Sequence, residues 1–228
     1  MKTKFISMIL VVALIFSGFS TTAFTKDGNK TGEQLNQQLE TVITNIEKNV
    51  NVKSDGISLN EINIRKSIKK EDIEAINQLA KEQGLDVVYT KKSFIDEITK
   101  GIKETNKQIQ NGELKALSDG TLIENNDENF YLQGGSTYTT GYWWGKRHYR
   151  STAAAAKWSY GGKQLALGHV VAGGAVAFFS MGTGFVIGAV ASSYYFAFTN
   201  SIDYYNGLSN RGIIADVTWA LVYSMRTQ

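Results

Sequence analysis

The sequence predicts a mainly α fold: a helical N-terminal segment, followed by a C-terminal domain with a Gly/Ala-rich apolar helical hairpin and a small β element. Apolar residues recur at helical spacing between residues 26 and 117. No Asp, Glu, Lys or Arg occurs in the 39 residues between Lys163 and Asp203. Near the C-terminus, large apolar residues occupy every second position from Val217 to Tyr223. The helical spacing is typical of amphipathic helices, and the uncharged run is typical of helices buried in protein or lipid. The alternation near the C-terminus is typical of a half-buried strand.

The N-terminus has the three parts of a secretory signal peptide. Lys2 and Lys4 precede an apolar stretch from Phe5 to Phe16, and small residues up to Ala23 form a cleavage site. The apolar stretch is about a dozen residues long, whereas a membrane-spanning helix needs about 20. We therefore expect residues 1–25 to be removed, with processing near Ala23, and the mature protein to be secreted. A retained N-terminal anchor is the alternative.

The mature chain changes character at Gly134-Gly135. Residues 26–135 carry a net charge of −4, whereas residues 136–228 carry +5 and are rich in Gly, Ala and aromatic residues. The predicted divisions are an acidic helical pro-segment or N-terminal domain over 26–117, a solvated linker over 118–135, and a basic aromatic domain over 136–228. Processing at Gly134 and Gly135 would make the acidic half a removable cover for the basic half. The alternative is an ordinary helical domain with charged outer faces.

Capping signals and periodicity predict the helices of the acidic half. Two predicted starts are Thr31 and Ser58, each followed three residues later by Gln or Glu as in a capping box. A third helix should stop at Gly84, and a fourth should be closed by Asn111-Gly112. The short segment between these two, residues 85–90, is predicted to be a strand.

The uncharged run divides into two predicted helical legs, Gln164 to Ser180 and Phe185 to Thr199, at a turn-prone cluster. Its small residues allow close helix packing, and Gly184 and Gly188 stand in a G-x-x-x-G relation. The residues predicted to insert into a membrane are Gly168, Gly173, Gly174, Phe178, Phe179, Gly184 and Gly188. Each leg is shorter than the about 20 residues of a spanning helix, so the legs would thin the bilayer or insert partway. The alternative is a hairpin buried at the centre of a compact domain.

Aromatic and basic residues precede the uncharged run, and both types suit the interface of an anionic membrane. The residues predicted to lie at that interface are Tyr142, Trp143, Trp144, Lys146, Arg147, Arg150 and Trp158. Aromatic rings and cations also suit nucleic acid, but the predicted export argues against that partner.

Few side chains offer catalytic or metal-binding chemistry. The chain has no Cys and two His, and it lacks the nucleophile-elbow, phosphate-loop and zinc-protease motifs. We therefore predict no enzyme activity, no metal site and no cofactor. His148 is predicted to be a polar interface residue, and His169, inside the uncharged run, to be an interior histidine or an acid sensor.

The C-terminal alternation predicts one strand. Val217, Trp219, Leu221 and Tyr223 would form its apolar face. A terminal helix is the alternative, because Leu221 and Met225 also match helical spacing.

Three features together resemble large secreted bacteriocin precursors of bacilli, of the geobacillin-like kind. They are the motif Tyr142 to Arg147, the Gly/Ala-rich apolar run, and the segment from Gly212 to Trp219. The resemblance covers roughly Thr137 to Gln228 and does not extend to the acidic half. It implies a Sec-exported antibacterial protein that disturbs the membranes of related cells, and it carries no catalytic residues with it.

The expected function is therefore that of a bacteriocin-like protein that binds and permeabilises target membranes. Its expected partners are the anionic lipid of a bacterial membrane, an immunity protein and, on the membrane, further copies of the chain. The alternative is a secreted binding or structural module, for cell wall or a partner protein, with the hairpin as buried core.

Overall fold

The computed structural model describes residues 26–117, 119–124, 130–132, 135–168 and 191–228. The described residues belong to two compact units, which are divided between Gln34 and Leu35. The helices are α1 (Lys26–Glu47), α2 (Glu61–Ser67), α3 (Lys70–Glu82), α4 (Lys91–Gln110), α5 (Thr152–Ala166) and α6 (Ser192–Leu208). The strands are β1 (Val50–Lys53), β2 (Gly56–Leu59), β3 (Leu114–Ala116), β4 (Leu122–Glu124), β5 (Phe130–Leu132), β6 (Gly135–Tyr142), β7 (Gly145–Arg150), β8 (Ile213–Thr218) and β9 (Tyr223–Thr227).

The four helices of the acidic half agree with the predicted periodicity but not with every predicted start. α1 begins at Lys26 rather than near Thr31. Ser58 lies in β2, and α2 begins three residues later because Asn60 is its N-cap and accepts a hydrogen bond from the backbone N–H of Asn63. The two predicted helix ends are confirmed, since Gly84 and Gly112 follow α3 and α4 in the left-handed conformation that glycine tolerates.

No strand forms over residues 85–90, so that prediction is wrong. Asn77 of α3 takes up the backbone groups of Tyr89 in this segment: its amide oxygen accepts from the Tyr89 N–H at 2.6 Å, and its amide nitrogen donates to the Tyr89 carbonyl at 2.8 Å. A side chain thus satisfies the backbone groups that a strand neighbour would otherwise satisfy.

The largest element is an antiparallel sheet with strand order β3-β4-β6-β7-β8-β9, and β5 also pairs with β6. β1 and β2 form a separate hairpin. This sheet is not a small β element, and no apolar helical hairpin is present in the described residues, so the predicted fold class is wrong. The physical reason is that β6 and β7 are polar on both faces, and their Thr, Tyr and Arg side chains gave no apolar alternation to detect.

The C-terminal alternation belongs to two strands, not one. β8 ends at Thr218 and β9 begins at Tyr223, with Val217 paired to Tyr223 across the hairpin. Leu221 lies in the connecting turn with a positive φ of 61°, a conformation that ends a strand. The predicted single strand and the alternative terminal helix are therefore both wrong.

The buried apolar side chains of the described residues from Leu35 onward form two clusters. The first joins α1, α3 and α4 to the ends of two sheet hairpins, where Trp143, Trp144, Ala220 and Val222 are buried. The second packs α5 and α6 against β8 and β9. Residues 118–135, interpreted from the sequence as a solvated linker, include β4, β5 and the first residue of β6, and Leu122 is buried in the first cluster.

The predicted hairpin legs are described only in part. Gln164 to Ala166 end α5, and Ser192 to Thr199 begin α6, where Tyr194 and Phe198 are fully buried against Tyr223. The buried residues of these two parts, Ala166, Tyr194 and Phe198 among them, are ordinary protein core. Residues 169–190, which hold the rest of the legs, lie outside the described residues. Within the part of the chain that is described, no helix combines the length and apolar character needed to cross a membrane.

Candidate functional site

Strand β7 carries three of the seven residues predicted to lie at a membrane interface, Lys146, Arg147 and Arg150, and its two faces have different neighbours. Successive strand side chains point to opposite faces of a sheet. Arg147 therefore contacts Asp216 of β8 on one face, while His148 contacts Trp158 of α5 on the other, with ring centroids 5.1 Å apart. Side chains on both faces of the strand therefore have partners within the protein.

On the first face, Asp216 holds two arginines. The Arg147 guanidinium donates to both carboxylate oxygens, at 2.6 and 2.9 Å, and Arg226 donates to one of them at 2.9 Å. Asp216 is only 3% exposed. The hydrogen bonds to Asp216 raise the pKa of Arg147 above its ordinary value. A carboxylate buried between two guanidinium groups stabilises this network only while all three charges are present.

Aromatic rings surround the Arg147 guanidinium. Its central carbon lies 5.3 Å from the Tyr142 ring centroid and 6.0 Å from that of Trp144, and these two rings stack at 5.1 Å. Tyr138 and Tyr149 stack across β6 and β7 at 4.2 Å. Burial raises the pKa of Tyr142. The predicted interface residues of this face therefore bind one another in this structure.

On the second face, the imidazole of His148 is 1% exposed and bounded by cations. Arg150 lies 3.3 Å from Nδ1, which leaves the proton of the neutral ring on Nε2. Nε2 is buried and has no hydrogen-bond partner among the described residues. Burial first, and then the charges of Arg150 and Lys146, hold the His148 pKa well below its usual range. The sequence-based interpretation of His148 as a polar interface residue is corrected accordingly.

Neutral oxygen atoms, rather than a carboxylate, accept the hydrogen bonds of the Arg150 guanidinium. Its guanidinium donates to the carbonyls of Tyr138 and Tyr149, at 2.9 and 2.8 Å, and to the Thr139 hydroxyl at 3.0 Å. The ring of Trp158 lies 5.1 Å from the guanidinium carbon. Burial lowers the pKa of Arg150 to about 10.

Helices α5 and α6 are fixed to each other and to the sheet. Lys163 and Asp203 form an ion pair at 2.5 Å, and the Asn206 amide donates to the Thr152 carbonyl at 3.1 Å. The Tyr194 hydroxyl donates to the Leu221 carbonyl at 2.6 Å. These contacts hold the two helices that border residues 169–190.

Both ends of that uncharged stretch join the described fold at the surface. Leu167 is 50% exposed, Gly168 follows it in an open left-handed turn, and Ala191 is exposed before α6. The 22 residues between Gly168 and Ala191 contain no Asp, Glu, Lys or Arg. The uncharged stretch is therefore joined to the described fold at two exposed points, next to α5 and α6.

The other predicted site residues fall into three groups. Trp143, Trp144 and Lys146 are buried, so a membrane could reach them only if this end of the sheet opened. Gly135 begins β6, and a Cβ there would lie 1.8 Å from the Arg211 carbonyl oxygen, so only glycine fits. The predicted residues that lie outside the described ranges are Ala23, Gly134, Gly173, Gly174, Phe178, Phe179, Gly184 and Gly188.

From the sequence, Tyr160 and Tyr204 count among the aromatic residues that flank the uncharged run, but Leu167 and Leu208 were not selected. Tyr160, Leu167 and Leu208 are at least half exposed, and Tyr204 is 36% exposed. The available signal was their spacing, since Tyr160 and Leu167 are seven residues apart and Tyr204 and Leu208 are four apart.

No protein family, characterised protein or solved structure matches this chain significantly. Its own residues are therefore the basis for any functional assignment. Among the described residues, no group of three or more His, Asp or Glu side chains is placed to hold a metal ion.

Proposed function

We propose that this chain is an exported antibacterial protein that binds anionic bacterial membranes and permeabilises them, and that residues 169–190 are the part that enters lipid. One observation carries the proposal: a 22-residue stretch without charged residues joins the fold at two exposed points, Leu167-Gly168 and Ala191. A helix that is hydrophobic all round is buried, either in a protein core or in a membrane.

The chemistry of the stretch favours lipid. A charged side chain at the centre of a bilayer costs about 2.5 to 3.5 kcal/mol on insertion scales, and residues 169–190 avoid that cost completely. His169 is the only titratable side chain in the stretch, and it lies at the N-terminal end.

Charge favours an anionic surface over a neutral one. Residues 136–228 carry a net charge of +5, and α5, which leads into the stretch, contains two Lys and no acid. Basic residues near an anionic surface contribute about 1 kcal/mol each to binding.

Dye release from lipid vesicles tests the proposal. The purified full chain is mixed with vesicles of phosphatidylglycerol or of phosphatidylcholine, and killing of Gram-positive cells is measured in parallel. We expect leakage from the anionic vesicles, little from the zwitterionic ones, and killing at similar protein concentrations. Absence of both leakage and killing at micromolar protein would overturn the proposal.

A binding module is the second candidate, favoured by the burial of Tyr194 and Phe198. Both belong to the apolar run and are core residues of α6. If the protein adheres to isolated cell wall but neither releases dye nor kills cells, the result supports a binding module. In that case the uncharged run between Lys163 and Asp203 contributes to the protein core and does not enter lipid.

A further inference from the structure

We infer that the exposed side of α5 and α6 is the surface by which this protein docks on an anionic lipid bilayer, an inference that rests on the proposed membrane function. The residues of this α5–α6 surface are Lys157, Tyr160, Lys163, Leu167, Tyr204 and Leu208. The partner is the headgroup layer itself, which must be met before any apolar stretch enters lipid.

Exposure of large apolar side chains is concentrated here. Of the seven large hydrophobic side chains that are clearly exposed among the described residues, four belong to α5, α6 or the turn after α5: Tyr160, Leu167, Tyr204 and Leu208. Tyr160 is 67% exposed and Leu208 is 59% exposed. Elsewhere in the described chain, the exposed ones are Ile62, Val87 and Val88, which lie in the acidic half.

Helix geometry places the α5 residues on one side. Successive residues rotate by about 100°, so Lys157, Tyr160 and Leu167 lie within roughly a quarter-turn of one another. On α6, Tyr204 and Leu208 are four residues apart and therefore neighbours. The ion pair between Lys163 and Asp203, whose side chains are 41% and 44% exposed, joins the two helices at the surface.

The combination of side chains identifies the partner as a membrane interface. Tyr places an apolar ring at headgroup depth with its hydroxyl in water, and Lys extends its ammonium group toward phosphate. α5 has no acid, and Asp203, the one acid of α6, is paired with Lys163. Because Lys163 is paired with Asp203, the two helices carry one net positive charge, which favours anionic over neutral lipid. Leu167 places the end of this surface next to the uncharged stretch in the sequence.

The first test compares two double variants in vesicle flotation. Lys157→Glu with Tyr160→Ser removes one cation and one exposed ring from the α5–α6 surface. Lys66→Glu with Ile62→Ser makes the same kind of change on α2, where Ile62 is 68% exposed and Lys66 is also exposed. We expect the α5 variant to bind phosphatidylglycerol vesicles roughly tenfold more weakly, since it loses an attractive charge and gains a repulsive one, and the α2 variant to bind like the wild type.

Thermal unfolding of both variants shows whether either change disturbs the fold.

A second measurement detects contact with the membrane directly and does not depend on a variant that binds more weakly. Because the chain has no Cys, Tyr160→Cys and Ile62→Cys each give one site for a polarity-sensitive fluorophore. On addition of phosphatidylglycerol vesicles, the fluorophore at position 160 should shift to the blue and gain intensity, whereas the one at position 62 should not change.

The outcomes separate this surface from the proposed function. If the wild type binds and releases dye while the α5 variant binds equally well and the fluorophore at position 160 does not respond, the docking surface is wrong and the membrane function stands. If both double variants lose binding equally, the α5–α6 surface has no special role and the inference also fails. If the wild type neither binds, leaks nor kills, the proposed function fails and this inference fails with it.

Discussion

The side-chain amide of Gln83 satisfies both backbone hydrogen-bonding groups of Tyr223, 140 residues further along the chain. Its nitrogen donates to the Tyr223 carbonyl at 2.6 Å, and its oxygen accepts from the Tyr223 N–H at 3.0 Å. Tyr223 begins β9, which is the last strand of the sheet order. A residue from the end of α3 thus takes the place of a further strand and ties the acidic half to the sheet.

Replacement of Gln83 by Leu should lower the free energy of unfolding by about 2 to 4 kcal/mol. The substitution leaves a buried N–H and a buried carbonyl without partners, at about 1 to 3 kcal/mol each. Gln78→Leu is the control on the same helix, because Gln78 is exposed and hydrogen-bonds only at the surface with Glu82. Urea unfolding measures the free energy of unfolding of both variants. Equal unfolding midpoints for the two variants would show that the Gln83 contact contributes no stability.

Gly101→Ala and Gly161→Ala should have opposite effects. An Ala Cβ at position 101 would lie 2.2 Å from the indole of Trp219, so α4 could not keep its packing, and we expect a loss of about 1 to 3 kcal/mol. At position 161 of α5 nothing lies within 4 Å, so the same change should stabilise by about 0.5 to 1 kcal/mol through helix propensity. Thermal unfolding compares them, and a Gly101→Ala variant as stable as the wild type would contradict the packing of Trp219 on α4.

Asp216→Asn should destabilise the protein more than Asp203→Asn. Asp216→Asn removes the buried charge that holds Arg147 and Arg226, and we expect it to lower the free energy of unfolding by about 2 to 3 kcal/mol. This loss is smaller than for a fully buried ion pair, because both arginines are partly exposed. Asp203→Asn breaks the half-exposed Lys163 pair and should cost less than about 1 kcal/mol. Denaturant unfolding at low and high salt measures the difference. Only the loss of stability caused by Asp203→Asn should become smaller at high salt, because salt screens exposed charges.

Stability should fall as pH decreases below about 6.5 because of His148. The pKa of His148 in the folded protein lies well below the ordinary value of 6.5. Below about pH 6.5 the unfolded chain therefore binds a proton at His148 that the folded chain does not bind. The stabilisation is fully present above pH 6.5 and is lost toward lower pH, with a slope of at most about 1.4 kcal/mol per pH unit. His148→Gln should remove this slope between about pH 6.5 and pH 5. An unchanged slope in the variant would assign the dependence to other groups.

Ala177→Asp should abolish dye release and killing if residues 169–190 enter lipid. The new carboxylate would lie in the middle of the uncharged stretch and cost about 2.5 to 3.5 kcal/mol at the bilayer centre. Asn51→Asp is the control, since it adds the same charge at an exposed position of β1. Both variants are compared in the vesicle assay. Wild-type leakage by Ala177→Asp would exclude the stretch as the inserting part.

Much of the acidic half was predictable because its signals are local. Leu35, Leu39, Val42 and Ile46 recur at helical spacing and are all buried, and glycines mark the two helix ends that were predicted correctly. The strand prediction for residues 85–90 failed because Asn77, in another element, takes up the backbone hydrogen bonds of Tyr89. No local pattern contains that contact.

The candidate site was harder to predict because its residues are paired across long separations. Arg147 reads in sequence as a free cation beside aromatic residues, whereas the fold brings it to Asp216, 69 residues away. Trp143 and Trp144 read as interface aromatics, yet they are 2% and 5% exposed, because the helices of the acidic half pack on the same end of the sheet. Burial of this kind depends on which elements meet.

The sequence by itself determined the properties that composition and local order contain: an acidic half and a basic half, the helices of the acidic half, and an uncharged stretch after Gly168. The tertiary structure alone decided which polar strands join into one sheet, which cations are paired, and which aromatic residues remain at the surface. The physical reason is that periodicity acts within a few residues, whereas strand pairing and the burial of charge depend on contacts such as Arg147 with Asp216 and Gln83 with Tyr223.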